Sequence, residues 1–254
     1  MSRIFNHITI VISLILISVN MIYAQDTIYV YGPGGPAPAI KEAAIAFEKI
    51  SQTKIKVIFG PTPQWLDKAK QNGDIIFTGS ETMATDFALL LNKVIGINDF
   101  EPLYLRPLSF LVRPGNPKKI KGIQDIISSD IKIIVVNGSG LTGAWEDMIG
   151  RTGNLNLIKK LRKNIIFYAT NSAEAKKYWI DHPDVDVWII WNIWQVANPK
   201  LADIVKIEDE YAIYRDMSVG LTSFGKNKKS AQDFVKFLKS NEGEKIFSKW
   251  GWSK

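Results

Sequence analysis

The chain has 254 residues, a formal net charge of +7, 46% hydrophobic and 22% charged residues, and no cysteine. This composition is typical of a globular protein with a substantial core, and it excludes disulfides, thiolate metal sites and a cysteine nucleophile. Only His7 and His182 supply imidazoles, so we expect neither a metal centre nor a cofactor.

The first 24 residues have the pattern of a signal peptide. Arg3 is the only charged residue before Asp26, and the apolar run from Ile8 to Val19 is shorter than a membrane-spanning helix. Ala24 places a small residue at a cleavage position. We therefore predict that residues 1–24 are removed and that the protein is exported to the periplasm; an uncleaved membrane anchor is the alternative.

The first part of the mature chain predicts alternating strands and helices. Three short runs rich in β-branched residues predict strands, at 27–31, 55–59 and 74–77. Apolar residues at helical spacing predict helices at 40–47 and 64–71. This order is typical of a parallel sheet covered by helices.

The remaining chain predicts a second α/β unit and two segments that connect it to the first. Strands are predicted at 131–136, 164–168 and 185–190, a helix at 145–149 and terminal helices at 231–250. Two long extended segments, 103–112 and 211–221, are the candidates for strands that pass between the units. The prediction is an α/β protein with lobe 1 formed by residues 25–107 and 216–254 and lobe 2 by residues 108–215.

Small-residue turns after the predicted strands are candidates for an anion site. Ligands of open α/β sheets collect beyond the carboxyl ends of strands, at helix N-termini, and backbone N–H groups with hydroxyls can hold an oxyanion or a carboxylate. No turn has the Gly-Lys-Ser/Thr ending of a nucleotide-binding loop. The residues in these turns are Gly34, Gly35, Ser80, Ser139, Gly140 and Thr142.

Arg106 is the candidate positive partner of such an anion. It stands alone in a largely apolar predicted strand, where a guanidinium can bind an anion through two donors. The alternative interpretation is a salt bridge to Glu81, Glu101 or Glu210.

Trp191 is the aromatic residue expected near the site. It lies in the segment WIIWNIW with Trp188 and Trp194. Core packing is the more frequent role of such residues, and we expect it for at least two of the three. Trp191 follows the predicted strand at 185–190, and we expect it at the wall of a ligand-binding cleft between the two lobes.

Several segments together resemble extracellular solute-binding proteins of the sulfate/molybdate type. They include YVYGPGGPAPAIKEAAIAFEK near the start and AQDFVKFLKSNEGEKIFSKWGW at the end. Within that group, YGPGGP, GSE, PLYLR, GNPKKIKG, GAWEDMIGR, RKNI and IYRD resemble the accessory colonisation factor C family. The resemblance runs from about residue 28 to residue 252. It implies the type II periplasmic-binding-protein fold, in which two lobes joined by a two-strand hinge close over a solute.

The resemblance also extends the candidate site. By position it adds Asn171 and Ser172 to the neutral donors of the turns. Where the wider group usually has a serine after the first strand, this chain has Gly-Gly-Pro. The ligand class therefore stays open between a sulfate-like oxyanion and a small carboxylate or acidic amino acid.

The function expected from these features is capture of a small anion for uptake or sensing, without chemistry. A membrane permease or a chemoreceptor is the expected partner, and the protein is expected to be a monomer. Its lysines are scattered, so a nucleic-acid partner is not expected. The alternative is a lyase or dehydratase of the same bilobal fold acting on a small organic acid, with Glu81 as its acid or base.

Overall fold

The computed structural model describes residues 26–254. The predicted signal peptide, residues 1–24, lies outside the described residues. The strands are β1 (Thr27–Gly32), β2 (Lys54–Phe59), β3 (Ile75–Phe77), β4 (Phe100–Val112), β5 (Ile133–Val136), β6 (Ile165–Ala169), β7 (Val187–Trp191), β8 (Asp203–Lys206) and β9 (Tyr214–Leu221).

Helices flank these strands along the whole described chain. None of those described is long and apolar enough to cross a membrane. The α-helices are α1 (Ala37–Ile50), α2 (Leu66–Asn72), α3 (Glu81–Leu90), α4 (Ile123–Ile126), α5 (Ala144–Gly150), α6 (Leu155–Asn164), α7 (Ser172–Asp181), α8 (Ile193–Ala197), α9 (Lys229–Lys239) and α10 (Asn241–Lys249).

The strands form two parallel groups separated by two antiparallel strands. Their order is β2-β1-β3-β9-β4-β7-β5-β6, and β8 also pairs with β4. We call β1, β2 and β3 the first strand group and β5, β6 and β7 the second, since each is internally parallel. The predicted α/β class is confirmed.

Strand β4 runs from one group to the other. Its first part, up to Pro107, pairs with β9, and its last part, from Leu108 to Val112, pairs with β7 and β8. Proline has no N–H to donate to a ladder, which is consistent with the change of partner after Pro107. The long apolar run of this segment predicted such a crossing strand.

The C-terminal helices pack on the first strand group through α1. The ring of Phe47 on α1 lies 5.4 Å from that of Phe234 and 5.5 Å from that of Phe237, both on α9. On α10, Lys249 Nζ binds Glu42 Oε1 of α1 at 2.7 Å. The end of the chain thus returns to the unit in which the mature chain begins.

Several elements differ from their predictions or were not predicted. Strand β7 begins at Val187 rather than at residue 185. Strand β9 begins at Tyr214 rather than at residue 211, because Asp209–Tyr211 form a 3₁₀ turn. β8 and α8 have four and five residues, too few to show a period. α6 carries the sequence LNLIKKLRKN, whose charges obscure the apolar face that packs inward.

Candidate functional site: the cleft between the strand groups

A cavity of about 380 Å³ lies between the two strand groups. Parallel strands bring their carboxyl ends to the same edge of a sheet, and the cavity is lined by the segments that follow β1, β2, β3, β5, β6 and β7. The first group contributes Pro33, Gly34, Gly35, Pro36, Pro38, Phe59, Gly60, Pro61, Gly79 and Met83. The second contributes Gly140, Leu141, Asn171, Ser172, Ala173, Trp191, Ile193, Trp194, Ala197 and Asn198, and β4 contributes Arg106.

Arg106 is held at the cavity wall by backbone carbonyls and aromatic rings. Its Nη1 donates to the carbonyl oxygen of Asp216 at 2.8 Å, and its Nη2 donates to that of Gly79. The guanidinium carbon lies 4.5 Å from the ring centroid of Trp191 and 4.6 Å from that of Trp252. The side chain is only 3% exposed, and these contacts hold its guanidinium in place.

The charge of Arg106 has no direct carboxylate partner among the described residues. The salt bridge to Glu81, Glu101 or Glu210 is not formed; Glu101 pairs with Lys239 instead. The Nε of Arg106 is buried without a hydrogen-bond acceptor. Burial lowers the pKa of Arg106 to about 9, against the opposing effect of the Asp216 carboxylate. Arg106 is therefore a cation at neutral pH, and the Asp216 carboxylate favours its charged form without forming a salt bridge to it.

Arg215 fixes the turn after β5 to the hinge strand β9. Its Nη1 donates to the carbonyl oxygen of Gly140 at 2.9 Å, and its Nη2 donates to that of Thr142 at 3.3 Å. The same Nη2 lies 3.1 Å from Asp147 Oδ2. Unlike Arg106, Arg215 has a carboxylate partner, so it holds the turn in place rather than supplying a free charge.

The carboxyl groups of Glu81 and Asp216 lie near each other at the N-terminal end of α3. The hydroxyl of Ser218 donates to Asp216 Oδ2 and lies 3.5 Å from Glu81 Oε1. Burial, and next the neighbouring charge of Asp216, raise the pKa of Glu81. Glu81 is nevertheless exposed and is absent from the cavity lining.

The structure brings together most, but not all, of the residues predicted for the site. Ser80, Glu81 and Thr142 do not line the cavity, and the side chain of Ser139 is outside the described part of the structure. Ser80 is fully buried and its Oγ accepts from Met83 N as the N-cap of α3. The predicted residues that line the cavity are Gly34, Gly35, Arg106, Gly140, Asn171, Ser172 and Trp191.

The two sides of the cleft touch at glycines. A Cβ added at Gly140 would lie 3.0 Å from Ser80 Oγ and 3.2 Å from both Gly79 O and Met83 Sδ. One added at Gly35 would lie 3.3 Å from Ile193 Cδ1. Close approach across the cleft, rather than a special backbone angle, is what disfavours a larger side chain at these positions.

Sequence reasoning missed one apolar part of the lining. Phe59 is the last residue of β2 and Pro61 follows that strand, while Ile193 and Trp194 belong to α8 directly after β7. The sequence could have indicated these lining residues, because both segments lie at the ends of predicted strands at the same edge of the sheet. Trp194 was expected in the core but lines the cavity, whereas Trp188 is 2% exposed and lies in the core.

Comparison with known proteins supports a solute-binding role for the chain. Residues 28–253 match the family of bacterial extracellular solute-binding proteins. The chain is 37% identical to PEB3 crystallised with L-phospholactate, with a TM-score of 0.84 over 89% of this chain and 99% of that one; the PEB3 structure from Campylobacter jejuni gives 36% and 0.83 over the same shares. A search of curated proteins gives no match.

More distant structures define the fold. The sulfate-binding protein SubI from Mycobacterium tuberculosis H37Rv is 16% identical, with a TM-score of 0.72 over 90% of this chain and 86% of that one. The substrate-binding domain of a molybdenum ABC transporter from Clostridium difficile is 19% identical, with a TM-score of 0.69 over 91% and 99%. The predicted type II fold, two α/β lobes joined by a two-strand hinge, is confirmed.

Proposed function

Because the chain belongs to the bacterial extracellular solute-binding proteins, we propose that it captures a small anion between its two lobes and releases it chemically unchanged. The observation that carries this proposal is the buried guanidinium of Arg106 at the cavity wall, which lacks a carboxylate partner. The anion is a sulfate-like oxyanion or a small carboxylate. PEB3, to which the chain is similar, has been crystallised with L-phospholactate, an anion that carries both kinds of group.

The physical argument rests on the cost of burying a charge. An ionised side chain removed from water is destabilising unless a counter-charge compensates it. The carbonyls of Gly79 and Asp216 give Arg106 acceptors but no net negative charge. An anion in the cleft supplies that charge, and Gly34 and Gly35, which line the same cavity, offer backbone N–H groups as candidate further donors.

We propose that the lobe boundaries lie within the two hinge strands, β4 and β9. Lobe 1 is formed by residues 25–107 and 216–254, and lobe 2 by residues 108–215. The transfer of β4 pairing from β9 to β7 after Pro107 supports the first boundary. The packing of α9 and α10 on α1 supports assigning the C-terminal segment to lobe 1.

The cellular role follows from export. Residues 1–24 act as a cleaved signal peptide in this proposal, so capture takes place in the periplasm. A permease or a chemoreceptor then recognises the ligand-bound protein. The resemblance to the accessory colonisation factor C family stays a prediction. Glu81, the acid or base that a lyase would need, lies outside the cavity lining, which favours capture without chemistry.

A thermal-shift screen of the mature protein, residues 25–254, tests the proposal. The panel contains sulfate, molybdate, phosphate, L-phospholactate, citrate, lactate and acidic amino acids of both hands. A ligand that binds only the folded state raises the melting temperature, and we expect a selective rise with one class of anion. If no compound in the panel raises the melting temperature, the proposal of anion capture is overturned. If the protein converts a ligand to a product, the proposal that the ligand is released unchanged is overturned.

A further inference from the structure

The cavity wall is mostly apolar around a single charge. Phe59 and Pro61 line it from lobe 1, and Ile193 and Trp194 line it from lobe 2. Arg106 is the one charged residue that lines the cavity in the described part of the chain. The cleft therefore offers one anionic group a partner, and offers the rest of a ligand hydrocarbon surface.

The lobe 1 wall is also poor in hydrogen-bond donors. Pro33, Pro36 and Pro38 surround the two glycines of the turn after β1 and have no N–H to donate. A bare oxyanion is held by several donors that converge on its oxygens, each contributing a modest free energy. A turn that begins and ends with proline and leads into Pro38 of α1 suits contact with carbon atoms better than it suits such a cage.

The size of the cavity points in the same direction. Its volume of about 380 Å³ is many times the roughly 10–15 Å³ that a single water needs in a cavity. A tetrahedral oxyanion fills a small part of that space and leaves the apolar wall wet. A ligand with a ring or a branched chain fills the space and removes apolar surface from water, which is favourable.

Phe59 shows that part of this apolar surface is open. Its side chain is 44% exposed at the carboxyl end of β2, where it does not serve the core. Tyr168 on β6 is also 44% exposed, but it is not part of the cavity lining. The two residues form a matched pair for a test of the wall.

We infer that the ligand is an amphiphilic organic acid, with one carboxylate or phosphate group at Arg106 and a branched or aromatic body between the walls formed by Phe59 and Pro61 and by Ile193 and Trp194. This inference rests on the proposed function and deepens it. It distinguishes the protein from a binder of bare sulfate or molybdate.

Isothermal titration calorimetry with two matched pairs of anions tests the inference on the mature protein. Lactate is compared with 3-phenyllactate, and inorganic phosphate with phenyl phosphate, while sulfate and L-phospholactate report anion capture alone. We expect each phenyl group to raise the affinity at least about tenfold, as buried hydrocarbon does in apolar pockets. The better of the two phenyl compounds identifies the head group as carboxylate or phosphate.

Variants locate the apolar contact. Phe59→Ala should reduce the gain in affinity due to the phenyl group at least about threefold, whereas Tyr168→Ala should leave that gain unchanged. An equal gain in both variants would overturn the placement of the body against Phe59. If sulfate or L-phospholactate binds while the phenyl groups add nothing, the inference fails and anion capture stands. If none of the anions binds, both fail.

Discussion

A methyl group at Gly140 tests whether capture depends on closure of the cleft. In Gly140→Ala the new Cβ would lie 3.0 Å from Ser80 Oγ and 3.2 Å from Gly79 O. Neither neighbour can move freely, because Ser80 Oγ accepts from Met83 N at 3.2 Å and Gly79 O accepts from Arg106. The lobes must therefore separate by a few tenths of an ångström.

The expected effect falls on binding rather than on folding. Overpacking of a close contact costs about 1–3 kcal/mol, and a hinge allows the open protein to avoid that cost. A penalty of this size confined to the closed state lowers ligand affinity about 5- to 150-fold. The melting temperature without ligand should change little.

Calorimetry with L-phospholactate and the best anion of the screen measures this effect. Gly150→Ala is the control, since its Cβ would make an ordinary contact, 3.9 Å from Ile158 Cδ1, outside the cavity. Unchanged affinity in Gly140→Ala would refute the argument that closure brings these two turns together. A large fall in the melting temperature of the ligand-free variant would show that the contact belongs to the fold itself.

Three further predictions concern single side chains. Binding should change the tryptophan fluorescence, and Trp191→Phe should lose most of that change, because this indole lines the cavity and stacks on Arg106; a response retained in full would place the signal elsewhere. The raised pKa of Glu81 means that the folded state binds its proton more tightly than the unfolded state does. Stability is therefore lost as the pH rises from the unfolded pKa through the raised folded pKa, and Glu81→Gln should remove this loss in thermal melts between about pH 4 and pH 7; an identical pH profile would contradict it. Tyr104→Phe removes the hydroxyl that donates to Leu238 O at 2.5 Å and should lower the unfolding free energy by about 1 kcal/mol in urea titrations; no change would mean that water replaces the hydroxyl.

Local patterns in the sequence were enough to predict the architecture. The stripe of Ile40, Ala43, Ala44 and Phe47 is fully or nearly fully buried, as its helical spacing required. The first three strands and the crossing strand around Arg106 also lie close to their predicted ranges. Such features depend on neighbours a few positions away, which a single sequence contains.

The details of the site depend on residues far apart in the chain. Ser80 carries a hydroxyl that could donate to a ligand. In the structure, however, the hydroxyl oxygen of Ser80 accepts from the backbone N–H of Met83 and caps α3. The partners of Arg106 at Gly79, Trp191, Asp216 and Trp252 come from four separate segments. No local pattern could show that these partners would leave Arg106 without a salt bridge.

Calorimetric titration of an Arg106→Gln variant tests the central claim most directly. Arg162→Gln removes the same charge from an exposed position on α6 and serves as the control, and circular dichroism confirms that both variants are folded. We predict that Arg106→Gln weakens binding of the anion identified in the screen at least about tenfold, because a buried anion loses its charged partner, while Arg162→Gln binds as the unaltered protein does. Equal affinities of a folded Arg106→Gln variant and the unaltered protein would contradict the account.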